Sequence, residues 1–236
     1  MIRIVTLIIM GLMFCNLGFS QTEINGFTGI CELKLGVTTT SYITNLIRTK
    51  KRKLALAKNT YSIKSESLRS TIFEIQIDTV EFTVNAPKIS NHKKYIIGNI
   101  KLCNEYEEDK LELDFFNDTL YSVDFERGSF EVDFTKKYGR PTYETRISQH
   151  KCDLSTGDDI TFDDETLILN WDNDSIHACR IYSKNRDRKT CNVTTESQFS
   201  MFNRKISRIV MNLEDAAYSE IEARRERKLE IKLKKL

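Results

Sequence analysis

The stretch LELDFFNDTLYSVDFERGSFEVDFTKKYGRP, residues 111–141, changes its apolar period part-way along, and that change decides the fold. Up to Phe125 two apolar runs flank Asn117-Asp118, a pair suited to a β-hairpin turn because both residue types tolerate positive φ. From Ser129 onward the period becomes four, so that Phe130, Phe134 and Tyr138 share one face of a short helix. Ser129 is placed to cap that helix, Glu131 and Asp133 lie near the positive end of its dipole, and Lys136 and Lys137 lie near the negative end. Gly139 stands where a left-handed residue closes a helix, and Pro141 stops its continuation. A hairpin running into a helix whose aromatic stripe has to be buried predicts an α+β fold, with helices packed on an antiparallel sheet.

Working upstream, GICELKLG (29–36) has the pattern of a short strand. VTTTSYITNLIRTKKRKLALA (37–57) predicts a helix with Thr38 to Thr40 as caps; its basic run at 48–53 is expected to be a solvated face. From residue 71 the period is two, and the apolar set moves from Phe73, Ile75 and Ile77 to Val80, Phe82 and Val84, which predicts a turn or bulge at Asp78-Thr79. KYIIGNIKLC (94–103) continues the β pattern. Downstream, ITF, TLILNW, SIHACRIY, TCNVTT and ISRIVMN alternate with polar turns and are expected to be strands. Residues 214–236 are charged and rich in good helix formers, with Glu220 and Arg224 as a supporting i,i+4 pair.

The N-terminus carries Met1, Ile2 and the single charge Arg3, then an apolar run from Ile4 to Phe14. That run is shorter than the roughly 20 residues a spanning helix needs. A positive start, an apolar middle and small residues at Gly18 and Ser20 match a secretory signal peptide over residues 1–20, cut between Ser20 and Gln21. A lipid anchor on Cys15 would need a small residue before it, and Phe14 stands there. The expected mature chain, 21–236, is one exported domain in the periplasm or outside the cell, with no integral membrane span. It divides into two halves, about 21–126 and 127–213, followed by the terminal helix. With only two prolines, and no linker-like stretch, a multidomain chain is not indicated.

Loss of Arg3 with the signal brings the formal charge, +2 for the whole chain, closer to zero. Nucleic-acid binding needs a basic surplus and is not expected. Loss of Cys15 leaves Cys31, Cys103, Cys152, Cys179 and Cys191, an odd number, so an oxidising compartment would yield up to two disulfides and a free thiol. The connectivity cannot be read from spacing alone. One candidate has a geometric reason: if the loop SKNRDRK centres near Asn185, Cys179 lies opposite Cys191, within disulfide reach.

His150-Lys-Cys152 and His177-Ala-Cys179 each place His and Cys on one strand face, yet the spacing is not that of known zinc sites. The acidic stretch GDDITFDDE (157–165) offers carboxylates for calcium but lacks the alternating ligands and glycine of a calcium loop. No GxSxG, HExxH, phosphate-binding glycine loop or dinucleotide-binding pattern occurs. No catalytic, cofactor-binding or metal-ligating residue is therefore assigned.

The hairpin FFNDTLYSVDF, the helix ending KKYGRP and the later tryptophan strand LNWDNDSIHA together resemble a pattern shared by uncharacterised exported proteins of one Gram-negative phylum, whose mature chains often begin with Gln, as this one would at Gln21. KLGVTTTSYITNLI likewise resembles the opening of small lipoproteins of the outer-membrane assembly type, whose fold is like that of the β-lactamase inhibitor protein. That resemblance implies two fused halves of that fold and a role in binding proteins rather than catalysis; it carries no site residue across. The expected function is a non-catalytic envelope or interaction module, with another envelope or extracellular protein as partner and oligomeric state left open. The alternative is a small exported hydrolase or metal-dependent enzyme, which would show a deep pocket lined by convergent His, Cys or acids.

Overall fold

The structure, a computed structural model, describes residues 28–76, 89, 91–126, 130–153, 159–187 and 190–233. The expected signal peptide with its Ser20/Gln21 junction, the expected break at Asp78-Thr79 and the expected Ser129 cap lie outside these residues. A two-stranded ribbon, β1 (Gly29–Ile30) and β2 (Leu33–Lys34), leads into helix α1 (Ser41–Lys50). Then come β3 (Lys53–Ala57), two 3-10 turns at Thr60–Ser62 and Ser65–Arg69, β4 (Thr71–Ile75), β5 (His92–Leu102), β6 (Tyr106–Phe116) and β7 (Thr119–Phe125). Helix α2 (Glu131–Tyr138) precedes β8 (Thr142–Asp153), β9 (Asp159–Asp172), β10 (Ile176–Arg186), β11 (Val193–Asn203) and the long helix α3 (Arg204–Leu233).

β3 to β11 form one nine-stranded mixed sheet in the order β3-β4-β5-β6-β7-β11-β10-β9-β8. Among the described residues, neighbouring strands are antiparallel except β3 and β4. The turn at Asn117-Asp118 has φ of 48° and 62°, the paired positive values that a two-residue hairpin requires. The Asp118 carboxylate also accepts from the Thr40 backbone N–H (3.2 Å) and from its hydroxyl. Those bonds hold the carboxyl below its ordinary range and tie the start of α1 to the hairpin.

Along β6, Leu111, Leu113 and Phe115 face α1 and α2, and Glu112, Asp114 and Phe116 face the other way; the first set is fully buried. On the first face Phe130, at the entry to α2, and Phe134 within it meet Phe125 and Phe199, with ring centroids 4.7 Å (Phe125–Phe130), 4.8 Å (Phe130–Phe199) and 5.2 Å (Phe134–Phe199) apart. Trp171 lies edge-on to Phe134 at 5.3 Å and donates its indole N–H to the Gly139 carbonyl at 3.0 Å. Gly139 has φ of +89°, so the residue that ends α2 is also anchored by the tryptophan. On the second face Ile206 and Val210 of α3 pack with Tyr121, Phe116 and Ile89, and Gly98 lets Leu68 sit against β5, since a Cβ there would lie 2.3 Å from the Leu68 Cβ.

Three expectations are corrected. The helix placed at 37–57 ends at Lys50, because Lys51 turns left-handed (φ 51°) and 53–57 joins the sheet beside β4. Arg52 holds this exit by donating to the carbonyls of Gly98 (2.6 Å) and Asn99 (2.8 Å), so a tertiary clamp overrides good local helix formers. ISRIVMN (206–212) is the first part of α3 rather than a strand: the Asn203 side chain caps the helix by accepting the Ile206 N–H at 3.1 Å, and Ile206 and Val210 then repeat at helical spacing.

The Cys179–Cys191 candidate also gives way. Cys179 lies opposite Ser200 and is a free thiol, whereas Cys31 is bonded to Cys103 and Cys191 is disulfide-bonded elsewhere. The β10–β11 strands continue to Arg186 opposite Val193. They turn on Asp187, whose carboxylate accepts the Thr190 N–H at 2.7 Å, so the loop centres beyond Asn185 and the register moves Cys179 away from Cys191. The Cys31–Cys103 bond pins the β1–β2 ribbon to the end of β5.

Removing the central ring should expose how much of the fold hangs on it. Trp171→Ala is expected to lower unfolding free energy by about 3–5 kcal/mol, read from the shift of the urea midpoint at unchanged slope.

Candidate functional site

The sheet face turned away from α1 and α2 is polar at its centre. Alternation in β5, β6, β7 and β11 brings Lys94, Glu112, Asp114, Asp124 and Ser200 to that face, between the part of α3 that packs on it and the 3-10 turns. Lys94 pairs with Glu112 at 2.6 Å and reaches Asp114 at 3.6 Å, while Lys110 takes the other Glu112 oxygen at 2.7 Å. His92 lies 3.4 Å from Asp114 and 3.0 Å from the Tyr121 hydroxyl. Asp124 accepts from the Ser200 hydroxyl and, at 3.1 Å, from Gln198 Nε2.

Two acids in this network behave oppositely. Burial alone would raise the Glu112 carboxyl, but the bonds from Lys110 and Lys94 outweigh it and hold it below its ordinary range. Burial pushes the Asp124 carboxyl up; the Ser200 bond opposes this, while Asp114 and Glu112 add to it. Glu214, on α3, is likewise raised by burial, against the pull of His92 and with the push of Asp114. Lys94 is raised, its loss of hydration being outweighed by Asp114 and Glu112.

Beside Asp124 the face opens into a groove of about 540 Å³, lined among others by Lys110, Glu112, Glu126, Ile181, Thr195 and Gln198. It is a broad, solvent-open surface bearing side chains from β6, β7, β10 and β11. Acids outnumber bases in its lining, and its one base, Lys110, is spent on Glu112.

His177 and Cys179 do share this face of β10, as their spacing predicts. They do not make a nucleophilic pair: the Cys179 thiol is pushed up by burial and by Asp124, the opposite of activation. His177 gives Nδ1 to Asp172 at 2.6 Å, and the same carboxylate takes the Arg204 guanidinium. The side chains of His150 and Cys152, the other pair, lie outside the described residues. Among the described residues the group closest to a metal site is Cys31, Glu32 and Cys103, and both of its sulfurs are already consumed by the disulfide.

The acidic stretch 157–165 lies partly outside the described residues. Within them, Asp163 accepts from Gln149 Nε2 (2.9 Å) and Asp164 from the Arg186 backbone N–H (2.9 Å). Consecutive strand residues point to opposite faces, so these two carboxylates diverge and do not form a calcium cage. Sequence reasoning missed the Asp114/Asp124 network and the buried Arg180, which donates to Ser197 at 2.9 Å on the helix-bearing face, 3.5 Å from Glu131 of α2. The signal for the network lay in the acids alternating with apolar residues along 111–125. Neither a known protein family, nor a curated protein, nor a solved structure matches this chain.

A raised carboxyl binds its proton more tightly in the folded state. Stability therefore rises as pH falls through the elevated Asp124 value, and the penalty is present above it. Asp124→Asn is expected to be more stable than the parent at pH 7. The gap should narrow as pH is lowered through that range, as measured by urea unfolding at a series of pH values.

Proposed function

We propose that the chain is an exported, non-catalytic protein-binding module whose partner, another envelope or extracellular protein, meets the polar face of the sheet over β6, β7, β10 and β11. The observation that carries this reading is the solvent-open groove beside Asp124, a broad surface spread over four strands rather than a deep pocket of convergent catalytic groups. Interfaces of this kind surround an apolar centre with a polar rim, and Ile181 among Ser183, Gln198 and the acids has that composition.

Export is supported by the disulfide chemistry. Cys31–Cys103 and the bonded Cys191 are what an oxidising compartment such as the periplasm produces. The likeness to the β-lactamase inhibitor protein fold is supported by element order. α1 and α2 each precede a run of strands, β5-β6-β7 and β8-β9-β10-β11 are antiparallel meanders, and the closing strands β7 and β11 pair antiparallel at the centre of the sheet. Such an arrangement fits two fused halves with their helices on one face. A hydrolase built on Cys179 would need its thiol lowered, and it is raised.

The test is affinity capture from envelope fractions with the exported protein and with Glu196→Arg, an exposed substitution in the groove on the same face as Gln198. The parent should retain a stoichiometric protein partner, and the variant should retain less than about a tenth as much at the same melting temperature. Absence of any stoichiometric partner, or equal capture by the variant, would overturn the reading.

A further inference from the structure

The two edges of the sheet are not alike. β3 has five residues and is followed directly by the 3-10 turns. β8 has twelve, pairs among the described residues with β9 alone, and keeps an unbroken register with it from Thr142–Asn170 to Asp153–Asp159. Sheet edges are usually protected by shortness, by a bulge, by an internal proline or by charged side chains, and the charges of β8 over 142–149 are one acid and one base, Glu144 and Arg146. β8 has no bulge in its register and no proline within it, and Thr142 through Gln149 are exposed. Tyr143 and Ile147 are 78% and 66% exposed. They stand on the face shared with Leu169 and Leu167 of β9, while Glu144 and Arg146 stand on the opposite face.

We propose that β8 pairs antiparallel with β8 of a second copy of this chain, about a two-fold axis through Thr145. An antiparallel edge-to-edge contact puts that axis perpendicular to the sheet, so both copies keep the same face up and the interface is isologous. Residues equally far from Thr145 then face each other. Glu144 lies opposite the partner's Arg146, Tyr143 opposite the partner's Ile147, and Thr142 opposite the partner's Ser148. Directly opposed cross-strand residues are about 4.5–5.5 Å apart, close enough for both the ion pairs and the apolar pairs to form. Each is made twice.

The sequence also excludes the neighbouring registers. An axis through Glu144 sets that carboxylate against its own copy, and an axis through Arg146 sets guanidinium against guanidinium. Like charges directly opposed destabilise a ladder. Charge and apolarity therefore select the same register independently. In the single chain Arg146 bonds Glu144 at 2.7 Å, an exposed in-strand pair that contributes little to the fold and leaves both groups able to bridge to a partner.

The experiment is sedimentation velocity of the exported protein over a concentration series, with Arg146→Glu, Glu144→Arg and the double exchange E144R/R146E. The parent should shift from monomer to dimer as concentration rises. Each single reversal should raise the dissociation constant at least about tenfold, and the double exchange should recover most of the loss, because it restores opposite charges in the same register. Thr145→Cys in a Cys179→Ala background should form a symmetric inter-chain disulfide in air. All of these positions but Cys179 are exposed, and circular dichroism checks that each variant folds. A parent that stays monomeric at every concentration would overturn the proposal. So would a dimer indifferent to the single reversals, or a double exchange no better than either single.

Discussion

Everything in this fold leans on the contact of Phe130 and Phe134 with Phe125 and Phe199. Phe125 ends β7 and Phe199 lies in β11, directly opposite it in the ladder. These strands meet over only four residue pairs, Phe125–Phe199 to Ser122–Phe202, yet they join the β3–β7 portion of the sheet to the β8–β11 portion. A four-pair ladder is a narrow seam for a nine-stranded sheet. Phe130 at the entry to α2 and Phe134 within it straddle the seam, with Trp171 closing one side, so the helix clamps both portions. Large aromatic side chains bury more apolar surface per residue than any alternative, which is why so short a helix can do this.

That clamp leaves the reverse face with a different problem. The same alternation that sends Leu111, Leu113 and Val123 toward α2 sends Glu112, Asp114 and Asp124 away from it, and this second face is only partly covered. Where α3 packs, the residues are apolar: Tyr121, Phe116, Val210. Where it does not, Lys94 and Lys110 neutralise Glu112, and Ser200 and Gln198 supply hydrogen bonds to Asp124. The balance is incomplete at Asp124, whose carboxyl is raised by burial. A partly desolvated acid beside an open groove adds nothing to a folding core, and it is the physical support for the binding face proposed above.

Legibility of the fold varied with the range of the interaction that governed each segment. The hairpin at Asn117-Asp118 and the helix ending at Gly139 were readable because their determinants are local: positive φ at the turn, a four-residue aromatic repeat, a glycine and a proline behind it. The segment 53–57 was not, because Arg52 draws it out of helix by bonding carbonyls at Gly98 and Asn99, far away in sequence. The start of α3 reads as a strand from its β-branched residues, although Ile206, Ile209 and Val210 already recur at i, i+3 and i+4; the Asn203 cap decides it in space. The disulfide pairing failed on register: the turn built by Asp187 shifts the β10–β11 ladder and leaves Cys179 facing Ser200.

Function divides along the same line. The sequence by itself determined the class of the chain, helices against a sheet, cysteines suited to oxidation and no local catalytic motif, because composition and short-range spacing suffice for those properties. Tertiary structure alone decided which acids share a face, which cysteine stays free and which strand is left at the edge. Those outcomes depend on strand order and register. Order and register are set by which apolar surfaces find each other across long stretches of chain, and no local pattern records that choice.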